Sequence, residues 1–73
     1  MPDITFDILK HYGVIAEDRN GWKMELNLVS WNGRTPKFDL RDWAPDHEKM
    51  GKGVTFTREE AGTLAKLLKT ALT

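Results

Sequence analysis

The chain has 73 residues, 11 Lys and Arg against 11 Asp and Glu, and no cysteine. That length allows one domain, residues 1–73, with a thin core that buries roughly 60% of the surface the unfolded chain exposes. The composition excludes disulfide staples, thiolate metal sites and a blanket basic surface, but leaves room for a local basic patch.

Hydrophobic residues make up 40% and charged residues 30%, the balance of a folded domain rather than a disordered one. Asp3, Asp7, Lys10 and His11 break up the first stretch of chain. Neither a signal peptide nor a membrane span is therefore expected, and the expected place is the cytoplasm. His11 and His47 are the only histidines, and no spacing around them suits a zinc site, so no metal or cofactor is expected. Self-association is the usual remedy for so small a core.

Thr5 to Ala16 reads as a strand with one irregularity, because Gly13 interrupts the apolar run as a bulge or bend does. Asp18-Arg19-Asn20-Gly21 supplies a turn. Trp22 to Trp31 is the clearest strand. Trp22, Met24, Leu26 and Leu28 fall on one face; Lys23, Glu25, Asn27, Val29 and Trp31 fall on the other. A loop over Asn32–Pro36 leads to Lys37–Trp43, where Phe38 and Leu40 oppose Lys37, Asp39, Arg41 and Trp43. Such strands suit an antiparallel sheet covered on one side, with Trp22, Leu26, Leu28 and Phe38 as core.

Ala44 to Gly53 reads as a polar loop, and Val54-Thr55-Phe56 as a short last strand. Thr57-Arg58-Glu59-Glu60 fits a capping box, and Phe56 is placed to staple onto Ala61. From Arg58 onward, Ala61, Leu64, Ala65, Leu68, Ala71 and Leu72 form a helical stripe. Leu67 widens it beyond what one small sheet face needs, which favours a partner helix. The order is β-β-β-β-α.

Trp31 and Trp43 fall opposite the Leu/Phe stripe, beside Asn27, Lys37 and Arg41. A sheet face with indole rings and cations is what a single-stranded nucleic-acid platform requires, since bases stack on flat rings while cations hold phosphates. Three readings stay open on pattern alone. The tryptophans are covered by the long loop or a second subunit, they stack on bases, or they bind a protein. Gly51-Lys52-Gly53 lacks the upstream glycine and following hydroxyl of a phosphate loop. His47 between Asp46 and Glu48 reads as an exposed turn with a structural hydrogen bond, not as acid–base machinery.

The run PKFDLRDWAPDHEKMGKGVTFTREEAGTL resembles the C-terminal domain of the transcriptional coactivator positive cofactor four, and most closely its small bacterial YdbC-like branch. Asn20 to Asn32 resembles the same branch, so the likeness spans nearly the whole chain. It implies an α+β fold: a curved four-stranded antiparallel sheet followed by one C-terminal helix, homodimeric through that helix and the sheet edge. It also implies a non-catalytic protein that binds single-stranded DNA with weak sequence preference, in transcription regulation or in DNA replication and repair. Single-stranded RNA is the near alternative, and a protein-interaction module using the same face the more distant one.

Carried over by position, Trp31 matches a base-stacking aromatic, Arg41 a strand arginine near the backbone, and Lys52 the lysine before the final strand's glycine. Trp43 stands where the coactivator has tyrosine, and Ala44 where it has its second stacking tryptophan, so either Trp43 takes over that stacking or the surface has one stacking ring fewer there; Trp43 is counted among the expected contacts. Arg34, Lys37, Lys23 and Asn27 complete the expected nucleic-acid contacts, with Lys49 assigned only weakly.

Overall fold

The computed structural model describes residues 4–73. Its elements are β1 (Phe6–Glu17), β2 (Lys23–Trp31), β3 (Lys37–Trp43), β4 (Met50–Phe56) and α1 (Arg58–Leu72). The strands form one antiparallel sheet in the order β1-β2-β3-β4. The expected β-β-β-β-α order is therefore present. Three strands differ in their bounds: β1 is displaced by one residue from Thr5–Ala16, Trp22 lies just before β2, and β4 begins at Met50, inside the stretch expected to be loop.

The β2–β3 pairing follows the alternation read from sequence. Leu26 lies opposite Leu40 and Leu28 opposite Phe38 on one face, while Glu25 meets Arg41 and Asn27 meets Asp39 on the other. The connecting turn is set by Asn32 and Gly33, at φ 52° and 73°, and closed by Arg34 N–H donating to the Trp31 carbonyl at 2.9 Å. Two successive positive φ values define a type I′ hairpin turn, which Asn-Gly adopts readily.

β1 departs from expectation. Its register with β2 slips not once but between Ile8 and Lys10, between His11 and Gly13, and between Val14 and Ala16. Leu9, Tyr12 and Ile15 are thus extra residues at a spacing of three, and each bulge adds bend and twist. The sheet consequently folds over its mixed face. Phe6, opposite Trp31 at one end of β2, touches Trp43, opposite Lys23 at the other end, with ring centroids 5.3 Å apart.

That curvature inverts the expected core. Val29, Trp43, Asn27 and Asp39 are wholly buried, all on the mixed face, whereas Trp22, Leu26, Leu28 and Phe38 are only half-buried. Alternation assigns residues to faces but does not say which face closes on itself. The apolar face stays open because α1 touches only β3 and β4 and buries no residue completely. A cavity of about 320 Å³ lies there, between Leu26, Leu40, Phe56, Leu64 and Leu68.

Gly53 holds β4 against β3. A Cβ at this position would lie 2.5 Å from Arg41 Cβ and 2.5 Å from the Leu40 carbonyl oxygen. Gly53→Ala is expected to cost about 1–3 kcal/mol as an overpacked site, read as a lower denaturant midpoint at unchanged slope.

The capping box forms as expected. Thr57 Oγ1 accepts from the Glu60 backbone N–H at 3.1 Å, and the Glu60 carboxylate accepts from the Thr57 backbone N–H at 2.8 Å. The backbone hydrogen bond to Thr57 is the main reason the Glu60 pKa is lowered, with the Thr57 side chain next and Lys37 adding to it. A carboxylate with a depressed folded pKa stabilises fully above its unfolded value. Helix content should therefore hold at neutral pH and fray as acid takes the pH down through the lowered value, measured by far-UV circular dichroism.

Candidate nucleic-acid interface

Trp31 ends β2 and is half-buried. Its indole is clamped by Phe6, at a centroid distance of 5.6 Å, and by the Arg41 guanidinium, 4.9 Å from the ring centroid. The Trp31 indole N–H is buried without a hydrogen-bond partner, so packing rather than polar bonding holds the ring. Beside it opens a cleft of about 600 Å³ lined by Ile4, Trp31, Asn32, Arg41, Met50 and Thr55.

Arg41 is oriented from below. Its Nε donates to both Asp39 carboxylate oxygens, at 3.0 and 3.2 Å. Nη2 donates to Asp39 at 3.0 Å, and Nη1 to the Gly51 carbonyl at 3.0 Å. This bidentate fork neutralises the guanidinium and fixes its plane. Arg41 thus lines the cleft as a flat, oriented group over Trp31, with only 15% of its side chain exposed.

Of the expected cations, Arg34 in the turn after Trp31, Lys37 opposite Val29, Lys52 in β4 and Lys23 at the far end of β2 are exposed. Lys52 follows Gly51, whose carbonyl Arg41 holds, and falls where the β3–β4 register slips. Arg41 stands opposite Glu25, toward the Lys23–Trp43 end of the sheet, and its guanidinium reaches the Trp31 ring across the curved face. Arg34 lies in the turn next to Trp31, and Lys23 lies opposite Trp43.

Two expected contacts need correcting. Trp43 has no exposed surface, because Phe6 packs on it and the His47 ring lies parallel over it, 4.7 Å away at 14°. It is not the open stacking ring that was to replace the one missing at Ala44, which is itself buried. Asn27 is also fully buried. Its amide donates to Glu25 at 3.2 Å and its carbonyl accepts from His11 at 2.7 Å, so both polar atoms are engaged inside the protein and no surface is exposed to a base edge.

His47 was read as an exposed turn with a structural hydrogen bond, and that bond exists: Nε2 lies 2.8 Å from Glu25 Oε2. Its position over Trp43 had no local signal, because the partner carboxylate lies far back in the chain. Among the described residues, no group of three or more His, Cys, Asp or Glu is arranged to hold a metal. No helix there is long and apolar enough to cross a membrane.

A curved antiparallel sheet with a C-terminal helix, and an aromatic and basic surface around an oriented tryptophan, define a small α+β protein suited to nucleic acid. Residues 19–67 match the family described as Transcriptional Coactivator p15 (PC4), and the chain belongs to that non-catalytic family. It is also similar to an uncharacterized protein of Treponema pallidum (strain Nichols), 47% identical over 66 residues, covering 90% of this chain and 78% of that protein.

Proposed function

We propose that the protein is a homodimeric single-stranded DNA-binding protein of the bacterial YdbC-like branch, acting in transcription or DNA maintenance. The observation that carries the reading is the cleft beside Trp31, where a half-exposed indole and an oriented guanidinium offer flat surfaces to unpaired bases. Arg34, Lys37 and Lys52 supply cations for phosphates, and duplex DNA would hide the base faces the cleft needs. The likeness to a bacterial relative supports the branch.

The second copy is argued from surface. The chain exposes 5933 Å², against about 4,600 Å² for a compact monomer of its mass. Its radius of gyration is 13.4 Å, against about 11 Å for a compact chain of this length. The excess area is larger than the ~800 Å² that each partner of a standard interface buries. It is concentrated on the open apolar face and on α1, where Leu67, Leu68 and Leu72 are 63%, 50% and 84% exposed.

Sedimentation equilibrium should give twice the 8.4 kDa chain mass. Titration with a labelled oligothymidine of about twenty nucleotides should show binding that weakens with salt and exceeds that of matched duplex and RNA. A folded protein that binds no strand at low salt would overturn the DNA reading, and a monomer at micromolar concentration would overturn the dimer.

A further inference from the structure

Beside Arg41, on the β1 side of the same face, Glu25 centres a cluster that the Trp31 cleft does not use. Glu25 is 4% exposed. Its Oε2 accepts from His47 Nε2 at 2.8 Å, and its Oε1 accepts from Asn27 Nδ2 at 3.2 Å. His11 Nδ1 lies 3.6 Å from Oε1 and bonds instead to the Asn27 carbonyl. A carboxylate offers about four acceptor positions, so Glu25 keeps unspent acceptor capacity. It lines an open cleft of about 150 Å³ with Ile8, His11, Asn27 and His47, enough for the edge of one base rather than a nucleotide.

The His47 ring forms one wall. One of its faces lies on buried Trp43, and 44% of the side chain remains exposed. His47 takes a left-handed backbone, φ 61°, an uncommon conformation for a residue other than glycine. The loop holds it there through His47 N–H donating to the Ala44 carbonyl at 2.9 Å and Ala44 N–H donating to the Lys49 carbonyl at 3.0 Å. Such held conformations gather at binding sites. A lid for Trp43 alone would need only an apolar side chain. This one also bonds a buried carboxylate and leaves ring surface open.

We infer that this cleft is a second nucleobase subsite, where a base stacks on His47 and its exocyclic amine donates to Glu25. The inference rests on the single-stranded reading above and adds a preference at one position of the bound strand. Cytosine presents an amine for a carboxylate to accept. Thymine has only its ring N–H between two carbonyls, which face a carboxylate unfavourably. Trp31 and this subsite share one face of the sheet, and their rings are packed together through Phe6 and Trp43.

The test uses anisotropy titrations of the full chain with oligodeoxycytidine and oligothymidine of equal length. The wild type should bind oligodeoxycytidine about tenfold more tightly, the size of one hydrogen bond to a charged group. Glu25→Gln should abolish that preference while keeping oligothymidine affinity. His47→Phe, which keeps a flat ring but loses the bond to Glu25, should retain oligothymidine binding. His47→Ala should weaken both strands about fivefold or more through the lost stack. Circular dichroism melts would establish that each variant is folded. Equal wild-type affinity for the two strands, or an undiminished preference in folded Glu25→Gln, would overturn the subsite while leaving the Trp31 reading intact. Failure of both strands to bind overturns both.

Discussion

Arg41→Ala is expected to remove most of the stability of the fold. Asp39 is wholly buried, and the guanidinium is its ion-pair partner. Deleting one member of a buried pair leaves an uncompensated charge and costs about 3–5 kcal/mol. A chain of this length has roughly 4–11 kcal/mol in total. Chemical denaturation should show a collapsed midpoint or no cooperative transition. The double variant Asp39→Ala/Arg41→Ala should recover part of the loss, because it removes the orphaned carboxylate as well. If the two single losses simply add in the double variant, the pair is not the stabilising unit.

Trp31→Ala is the second large effect, and it falls on binding. Base stacking on an aromatic side chain is worth about 1–3 kcal/mol by alanine substitution, so oligothymidine affinity should fall about 5- to 150-fold. The salt slope should change little, since Arg34, Lys37 and Lys52, the proposed phosphate contacts, remain. Trp31→Phe should recover much of the affinity by keeping a flat ring. Retention of wild-type affinity in a folded Trp31→Ala protein would remove the indole from the interface.

Much of this arrangement was legible locally. The alternation in β2 and β3 assigned Leu26, Leu28, Phe38 and Leu40 to one face and Glu25, Asn27, Asp39 and Arg41 to the other, as the pairing shows. Thr57 with Glu60 marked the start of the helix because a capping box is a short-range device. The misread features depend on distant parts of the chain. Leu9, Tyr12 and Ile15 recur every three residues, and only pairing with β2 reveals them as successive bulges. The closure those bulges allow buries Trp43 under Phe6, a contact between opposite ends of the sheet. Gly51-Lys52-Gly53 reads as a turn by composition, yet Gly53 is the residue β3 needs for close approach.

The candidate site was legible to the same extent. Trp31 and Arg41 meet on the face the alternation assigned to both, although their backbones stand apart along the sheet. Arg41, carried over as an arginine near the nucleic-acid backbone, has its fork engaged by Asp39 and the Gly51 carbonyl. That pairing joins two residues of one face two positions apart. The bond between His47 and Glu25 was not visible, since it depends on the loop folding back across β2.

The most direct test of the central claim is a two-dimensional NMR titration that follows the tryptophan indole N–H signals as oligothymidine is added. The chain has three tryptophans, each assignable by substitution to phenylalanine. Binding in the proposed cleft should move the Trp31 signal strongly, together with Arg41 Nε–H, and leave Trp22 on the apolar face unmoved. A strand that binds while the Trp31 signal stays fixed would contradict the account.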